Sequence, residues 1–233
     1  MAGKTKLILW DIDGTLIRSG GAGARALDRA FVDLYGVQNA CETIDWGGMT
    51  DPLIVNELIR FHFRREATPE DREQTLQGYL SYLPEEIERA SEYRVMPGVR
   101  EAVEEMHEHP EYHQGLGTGN LEPGGRIKLG RSDLGRYFEW GGFASDSDRR
   151  AELIRIGIER GRRAAGEHVP AERVVIIGDT LRDIEAARAC GARVIAVATG
   201  AKTLAELEAG KPDLLVEDIA AGETRFWDWL KSL

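Results

Sequence analysis

Cysteine is nearly missing from this chain: Cys41 and Cys190 are the only two in 233 residues. Two so far apart exclude a disulfide framework and share no metal-ligand spacing, so both read as small buried apolar groups. No apolar run approaches the roughly 20 residues of a membrane-spanning helix. The opening Met-Ala-Gly-Lys-Thr-Lys is not followed by the apolar core of a signal peptide. A reducing, cytoplasmic setting with no membrane partner is expected. Basic residues are outnumbered, 30 Lys and Arg against 40 Asp and Glu, for a formal charge of −10. Nucleic acid is not an expected partner, because binding it needs a basic face. Any anionic small molecule must be drawn in by a local positive site, against the overall field. Lysine is absent from Leu7 to Ile127. Internal repeats and low-complexity segments are absent too. The length fits one large domain or two small ones, enough to bury a core without staples.

What is present is organised around Leu7-Ile8-Leu9-Trp10-Asp11-Ile12-Asp13-Gly14-Thr15-Leu16. The apolar run predicts a strand, and the residues after it predict a turn. Asp11 and Asp13 are two apart, so extended backbone puts both carboxylates on one face. Such a pair repels unless a cation lies between them or one holds a proton. From residue 20 to residue 92 only helices are predicted: one over 24–35 ended by Gly36, one opened by Asp51-Pro52, and one opened by Thr68-Pro69. The last either runs through Pro84 or breaks there. Beyond it, strands near 113–118, 140–144, 174–177, 194–198 and 214–216 alternate with helices. That alternation predicts an α/β fold with a doubly wound parallel sheet and an inserted all-helical cap. The expected division is a core of residues 1–17 and 95–233 and a cap of residues 18–94. The cap leaves from the end of the first strand, so it should cover the carboxyl ends of the strands, where such sheets bind ligands.

Three strand ends carry polar groups: Asp11 and Asp13; Thr118, Gly119 and Asn120; and Asp179 with Asp183. Singly, such residues are ordinary turn formers and caps. Together with the cation Arg149, at the start of a helix, they make a magnesium and phosphate site, since Mg²⁺ prefers a few carboxylates plus waters and a substrate phosphate.

Asp11-Ile12-Asp13-Gly14-Thr15-Leu16, Gly117-Thr118-Gly119-Asn120 and Gly178-Asp179-Thr180-Leu181-Arg182-Asp183 resemble three motifs of the haloacid dehalogenase superfamily. The likeness is greatest to its phosphoglycolate phosphatase-like branch with a helical C1 cap, and Gly48-Met49-Thr50-Asp51 resembles a stretch of that cap. The remaining family motif is usually a lysine; Arg149-Arg150 stands there, with the role assigned to Arg149 and Arg150 as the alternative. The resemblance implies a Mg²⁺-dependent phosphatase acting on a small phosphorylated metabolite, with 2-phosphoglycolate as the branch's suggestion. Asp11 would be the nucleophile that forms an aspartyl-phosphate, and Asp13 the general acid and base. Thr118 and Arg149 complete the implied catalytic set. Asp11, Asp13 (through its backbone carbonyl), Asp179 and Asp183 would bind the metal. Gly14, Thr15, Gly119 and Asn120 would hold the phosphate. Arg18, Trp46, Met49, Thr50 and Asp51 are the candidate contacts for the leaving group, with cap core as the other reading of Trp46.

Asp13 argues against a dehalogenase, which lacks that residue, and the lysine-free cap argues against phosphonate cleavage through a Schiff base. A sugar-phosphate mutase on the same core is the alternative, and a non-catalytic phosphate-binding protein a lesser one. His62 reads as packing, and Arg64-Arg65 as a solvated helix face. A monomer or homodimer is expected.

Overall fold

The computed structural model describes residues 5–43 and 46–233. Its eight strands are β1 (Lys6–Trp10), β2 (Ile17–Arg18), β3 (Arg94–Val95), β4 (Tyr112–Gly117), β5 (Gly141–Gly142), β6 (Val174–Gly178), β7 (Arg193–Val197) and β8 (Leu214–Val216). Six of them form one parallel sheet in the order β5-β4-β1-β6-β7-β8. The chain adds strands outward from β1 on one side, then returns to add β6 to β8 on the other. That reversal beside β1 opens a crevice at the carboxyl ends of the strands. All five residues of β1 are buried, as a central strand covered on both faces requires.

Alternating side chains of β1 and β6 feed two apolar layers. Ile8, Trp10, Val175 and Ile177 pack with Val103 and Met106 of α4 (Val99–Glu108) and with Phe226 and Leu230 of the C-terminal helix, Glu223–Lys231. Leu7, Leu9, Val174 and Ile176 face the opposite layer, with Leu153 and Ile154 of the helix Arg150–Ala165 and Ile184 of the helix Leu181–Ala189. Each such side chain taken fully out of water contributes about 1.5–3 kcal/mol.

Helices α1 (Ala22–Tyr35), α2 (Asp51–Phe63) and α3 (Pro69–Arg89) form the insert, around Leu27, Phe31, Val55, Leu58, Ile59 and Leu83. α3 starts with a reciprocal Thr68–Asp71 capping box. It runs on through Pro84. The proline lacks an N–H, but Tyr79, Leu83 and Ile87 on the same helix are buried in the cap core, and that burial outweighs the lost bond. Gly78 lets α3 approach α1, since a Cβ there would lie 2.9 Å from that of Ala30. The expected packing role of His62 is what is seen: its Nε2 meets the Ala40 carbonyl at 3.2 Å and its ring neighbours Phe31.

The two links to the core pair as the antiparallel ladder β2–β3, with Ile17 opposite Val95 and Arg18 opposite Arg94. The Met96 N–H donates to Leu16 O at 3.0 Å just inside it. Among the described residues, no helix is long and apolar enough to cross a membrane.

From here on the core helices are α4, α5 (Glu122–Gly130), α6 (Arg150–Ala165), α7 (Leu181–Ala189), α8 (Leu204–Ala209) and α9 (Glu223–Lys231).

Candidate active site

Register assembles the site. Trp10 lies opposite Leu116 on one side and Ile177 on the other, so the residues just beyond, Asp11, Thr118 and Asp179, emerge together from three adjacent strands. The Asp11 N–H still donates to Ile177 O at 2.9 Å. Gly14 then turns the chain with φ +84°, a conformation that L side chains rarely adopt. A side chain at Gly14 or at Gly200 would also run into the Asp179 carboxylate. Thr15 Oγ1 donates to Asp179 Oδ1 at 3.0 Å, so Thr15 orients a carboxylate and stands behind the cavity rather than in it.

Asp11, Asp179 and Asp183 each bring a carboxylate oxygen within 4.8 Å of the others, and all three are buried. Asp183 also caps α7: its Oδ2 accepts from Thr180 N at 3.1 Å and Thr180 Oγ1 at 2.6 Å. Capping and site roles coexist because one oxygen serves the helix and the other faces the cluster. The charge among these three is one-sided. Burial pushes the Asp11 carboxyl up to about 6, with Arg150 pulling the other way and Asp183 adding to the rise. Burial, then Asp11 and Asp183, raise Asp179 well above the usual carboxylate range.

The cation beside this cluster is Arg150. Its Nη2 is 2.5 Å from Asp183 Oδ1 and 3.1 Å from Asp11 Oδ2, its Nε is 3.0 Å from Asp183 Oδ1, and its side chain is only 8% exposed. Arg149, given the role on sequence spacing, lies elsewhere: it is the exposed N-cap residue of α6, in extended backbone. The correction has a simple cause. The chain changes from extended to helical between the two residues, and only the first helical side chain points back over the strand ends.

Asp13 sits two residues from Asp11 in opposite surroundings. Its Oδ1 accepts from Ser19 Oγ at 3.0 Å; its Oδ2 accepts from Asn120 Nδ2 at 2.9 Å and from Lys128 Nζ at 2.6 Å. Burial opposes its ionisation, but the Lys128 charge and these three donors outweigh it and hold the carboxyl below its ordinary value. Lys128 also donates to Asn120 Oδ1 at 2.6 Å. It is buried on α5, and Asp13, the Tyr79 hydroxyl and Asp51 hold its ammonium charged against the cost of burial. Lys128, Ser19 and Tyr79 are absent from the sequence reading, in which the lysine-free stretch ends at the residue before Lys128.

A cavity of about 550 Å³ lies between cap and core. Asp11, Gly14, Gly119, Asn120 and Arg150 line its core end; Asp13, Arg18, Trp46, Met49, Asp51 and Tyr79 line its cap end. Trp46 lines the cavity and also packs against the cap core. Thr118 and Thr50 are buried and do not line it: Thr118 Oγ1 accepts from Asn120 Nδ2 at 2.9 Å, and Thr50 Oγ1 donates to Asp148 O at 3.0 Å. Asp51 is drawn to the core, with its Oδ2 accepting from Leu121 N at 2.8 Å and its N–H donating to Gly119 O at 2.8 Å. Burial pushes its carboxyl up to about 6 against the pull of Lys128 and of the Leu121 N–H.

Residues 5–191 match the family model described as haloacid dehalogenase-like hydrolase. The chain belongs to the haloacid dehalogenase-like hydrolases. It is an enzyme, a hydrolase, and it is similar to proteins named phosphoglycolate phosphatase. A phosphoglycolate phosphatase of Pseudomonas savastanoi pv. phaseolicola is 26% identical over 222 residues, 94% of this chain and 79% of the relative. A solved structure from Haemophilus somnus, named a predicted phosphoglycolate phosphatase, superposes with a TM-score of 0.70 at 18% identity over 97% of this chain and all of the other. Another from Bacteroides vulgatus, named a candidate β-phosphoglucomutase, gives 0.71 at 20% identity over 98% of this chain and 89% of that one. At such identities the structural likeness is one of fold.

The acid cluster of this hydrolase fits a divalent cation. Three buried carboxylates face one guanidinium, so at least one negative charge is left without a counter-charge, and hard oxygen donors suit a hard cation. The Asp13 carboxylate is turned away toward Lys128 and does not belong to the cluster among the described residues; only its backbone carbonyl is left for the metal role expected of it.

Proposed function

We propose that this phosphatase hydrolyses a phosphate monoester of a small metabolite through an aspartyl-phosphate on Asp11, with Mg²⁺ held by Asp11, Asp179 and Asp183. The observation that carries the reading is the asymmetry of the two first-motif carboxylates. Asp11 lies at the cation cluster beside Arg150, and Asp13 lies in a ring of donors facing the cap. A nucleophile and a proton carrier need these two different surroundings.

In the first step an Asp11 carboxylate oxygen attacks phosphorus. The P–O bond to the leaving alcohol breaks, and the alcohol oxygen takes a proton from Asp13. An arriving phosphate dianion raises the Asp13 carboxyl, countering Lys128 and favouring the protonated form. In the second step water attacks the phosphorus of the aspartyl-phosphate and gives its proton to Asp13, the P–O bond to Asp11 breaks, and inorganic phosphate and free Asp11 are restored. Arg150 offsets charge on nucleophile and phosphoryl group. Asn120 and the backbone of Gly14 and Gly119 contact the phosphoryl oxygens, and Thr118 fixes the Asn120 amide. A bound Mg²⁺ would neutralise the carboxylates and polarise the phosphoryl oxygens. Arg18, Trp46 and Asp51 face the leaving alcohol, and Thr50 anchors their segment. The relatives' names make 2-phosphoglycolate the first metabolite to assay.

The deciding measurement is release of p-nitrophenol from p-nitrophenyl phosphate with Mg²⁺ and after chelation. Turnover that depends on added Mg²⁺ is expected. No turnover with Mg²⁺ present would remove the reading.

A further inference from the structure

The third-motif position holds arginine where its family usually holds lysine, and the guanidinium uses the difference. Two of its nitrogens, Nε and Nη2, bond to Asp183 Oδ1, and Nη2 also reaches Asp11. The third, Nη1, points away from the acids and donates to the Gly48 carbonyl of the cap segment at 3.2 Å. An ammonium would serve every acceptor from one nitrogen; a planar guanidinium presents three nitrogens whose donors form a fixed fork.

The segment it reaches, residues 46–51, is fastened to two loops and to helix α7 of the core. Asp51 is bonded to Gly119 and Leu121, Thr50 to Asp148, and the Gly47 carbonyl accepts from Arg182 Nη1. Glycines permit the close fit. A Cβ at Gly119 would lie 2.5 Å from Met49 O, and one at Gly48, where φ is +70°, would lie 2.7 Å from Thr180 Oγ1. Of these contacts, only the Arg150 bond comes from a group that also touches Asp11. The same segment carries Trp46 and Met49 into the cavity.

We propose that Arg150 is a positioning residue that couples closure of the cap segment 46–51 to occupancy of the phosphate site. An oxyanion at Asp11 orders the guanidinium, the ordered guanidinium holds Gly48 O, and the closed segment excludes water from the reacting phosphorus. When phosphate leaves, the same group relaxes and the segment opens. This rests on the phosphatase reading only for its physiological ligand, because inorganic phosphate serves as the probe and no turnover is needed.

The test is hydrogen exchange of the Asp51 amide, which donates to Gly119 O only while the segment is docked. It is measured with Mg²⁺, with and without saturating inorganic phosphate, on three proteins. In the unaltered protein, phosphate should slow exchange by about tenfold, the effect of tightening one charge-assisted hydrogen bond. Arg150→Lys keeps the charge and loses the fork, so the phosphate effect should vanish. Arg182→Ala removes a different bond to the same segment. Basal exchange should quicken there while phosphate still slows it about tenfold, as the bond through Arg150 is intact. Protection by phosphate that survives Arg150→Lys overturns the proposal, as does the absence of any phosphate effect in the unaltered protein. Failure of the phosphatase reading looks different: no release of p-nitrophenol, with the exchange pattern intact.

Discussion

The two ends of the one cavity solve the problem of buried charge in opposite ways. At the sheet end, Asp11, Asp179 and Asp183 share one guanidinium, and the carboxyls of Asp11 and Asp179 are pushed upward. At the cap end, Asp13 has an ammonium, an amide and a hydroxyl as direct partners, and its carboxyl is held low. One end is short of positive charge and suits a cation; at the other, Asp13 is balanced by the chain itself. Two carboxylates only two residues apart are thereby made chemically distinct, and the distinction comes from α5 and α6, elements far away in sequence.

The comparison breaks most severely at Asp11. Asp11→Asn should lower turnover of p-nitrophenyl phosphate by at least about a thousandfold. Thermal denaturation should show an equal or higher midpoint, since one uncompensated buried charge is gone. Substantial residual turnover would move the nucleophile elsewhere.

Next in size is Lys128→Met, which strips the balanced end. Stability in urea should fall by about 1–2 kcal/mol; the figure is set below that of a fully buried pair because the Asp13 side chain is 39% exposed. Added Mg²⁺ should not restore it, because the lost charge lies at the other end of the cavity. Full restoration by Mg²⁺ would merge the two ends into one electrostatic site.

The smallest expected effect is also the most specific. Without metal, an Asp11 carboxyl raised to about 6 from 3.8 makes the folded protein hold more protons than the unfolded chain between those values, so stability falls as pH rises through that window. Asp13 has the opposite sign: held low, it contributes stability above its unfolded value and loses it in stronger acid. In the proposed site, Mg²⁺ would take the place of the protons at the sheet end. The rise in melting temperature on adding Mg²⁺ should therefore be larger at pH 7.5 than at pH 5, where a proton must first be displaced. Equal rises at both values would disconnect the cation from Asp11.

Much of this was legible in the sequence, for local reasons. The run Leu7–Trp10 and the later apolar strands have one reading each, and strand ends converge by the topology of a parallel sheet, so Asp11, Asp179 and Asp183 could be grouped before their distances were known. The choice between Arg149 and Arg150 was not legible, because it depends on the backbone turning helical between adjacent residues. Lys128 was hidden for a related reason. It lies between Ile127 and Leu129, eight residues past Asn120, a spacing that faces the same side only after α5 forms. A lysine flanked by apolar helix positions is the signal that could have found it. The ladder β2–β3 is two residues long on each side, too short to leave a periodic trace.

The bare α-carbons of Gly14 and Gly200 lead further. Each is the wall against which the Asp179 carboxylate rests, so the shape of the cation site is set partly by atoms that the chain omits. A single added methyl at Gly200 would displace the Asp179 carboxylate while leaving every acidic residue in the sequence. An inventory of charged side chains would then still count the site as complete, although its floor had been filled in.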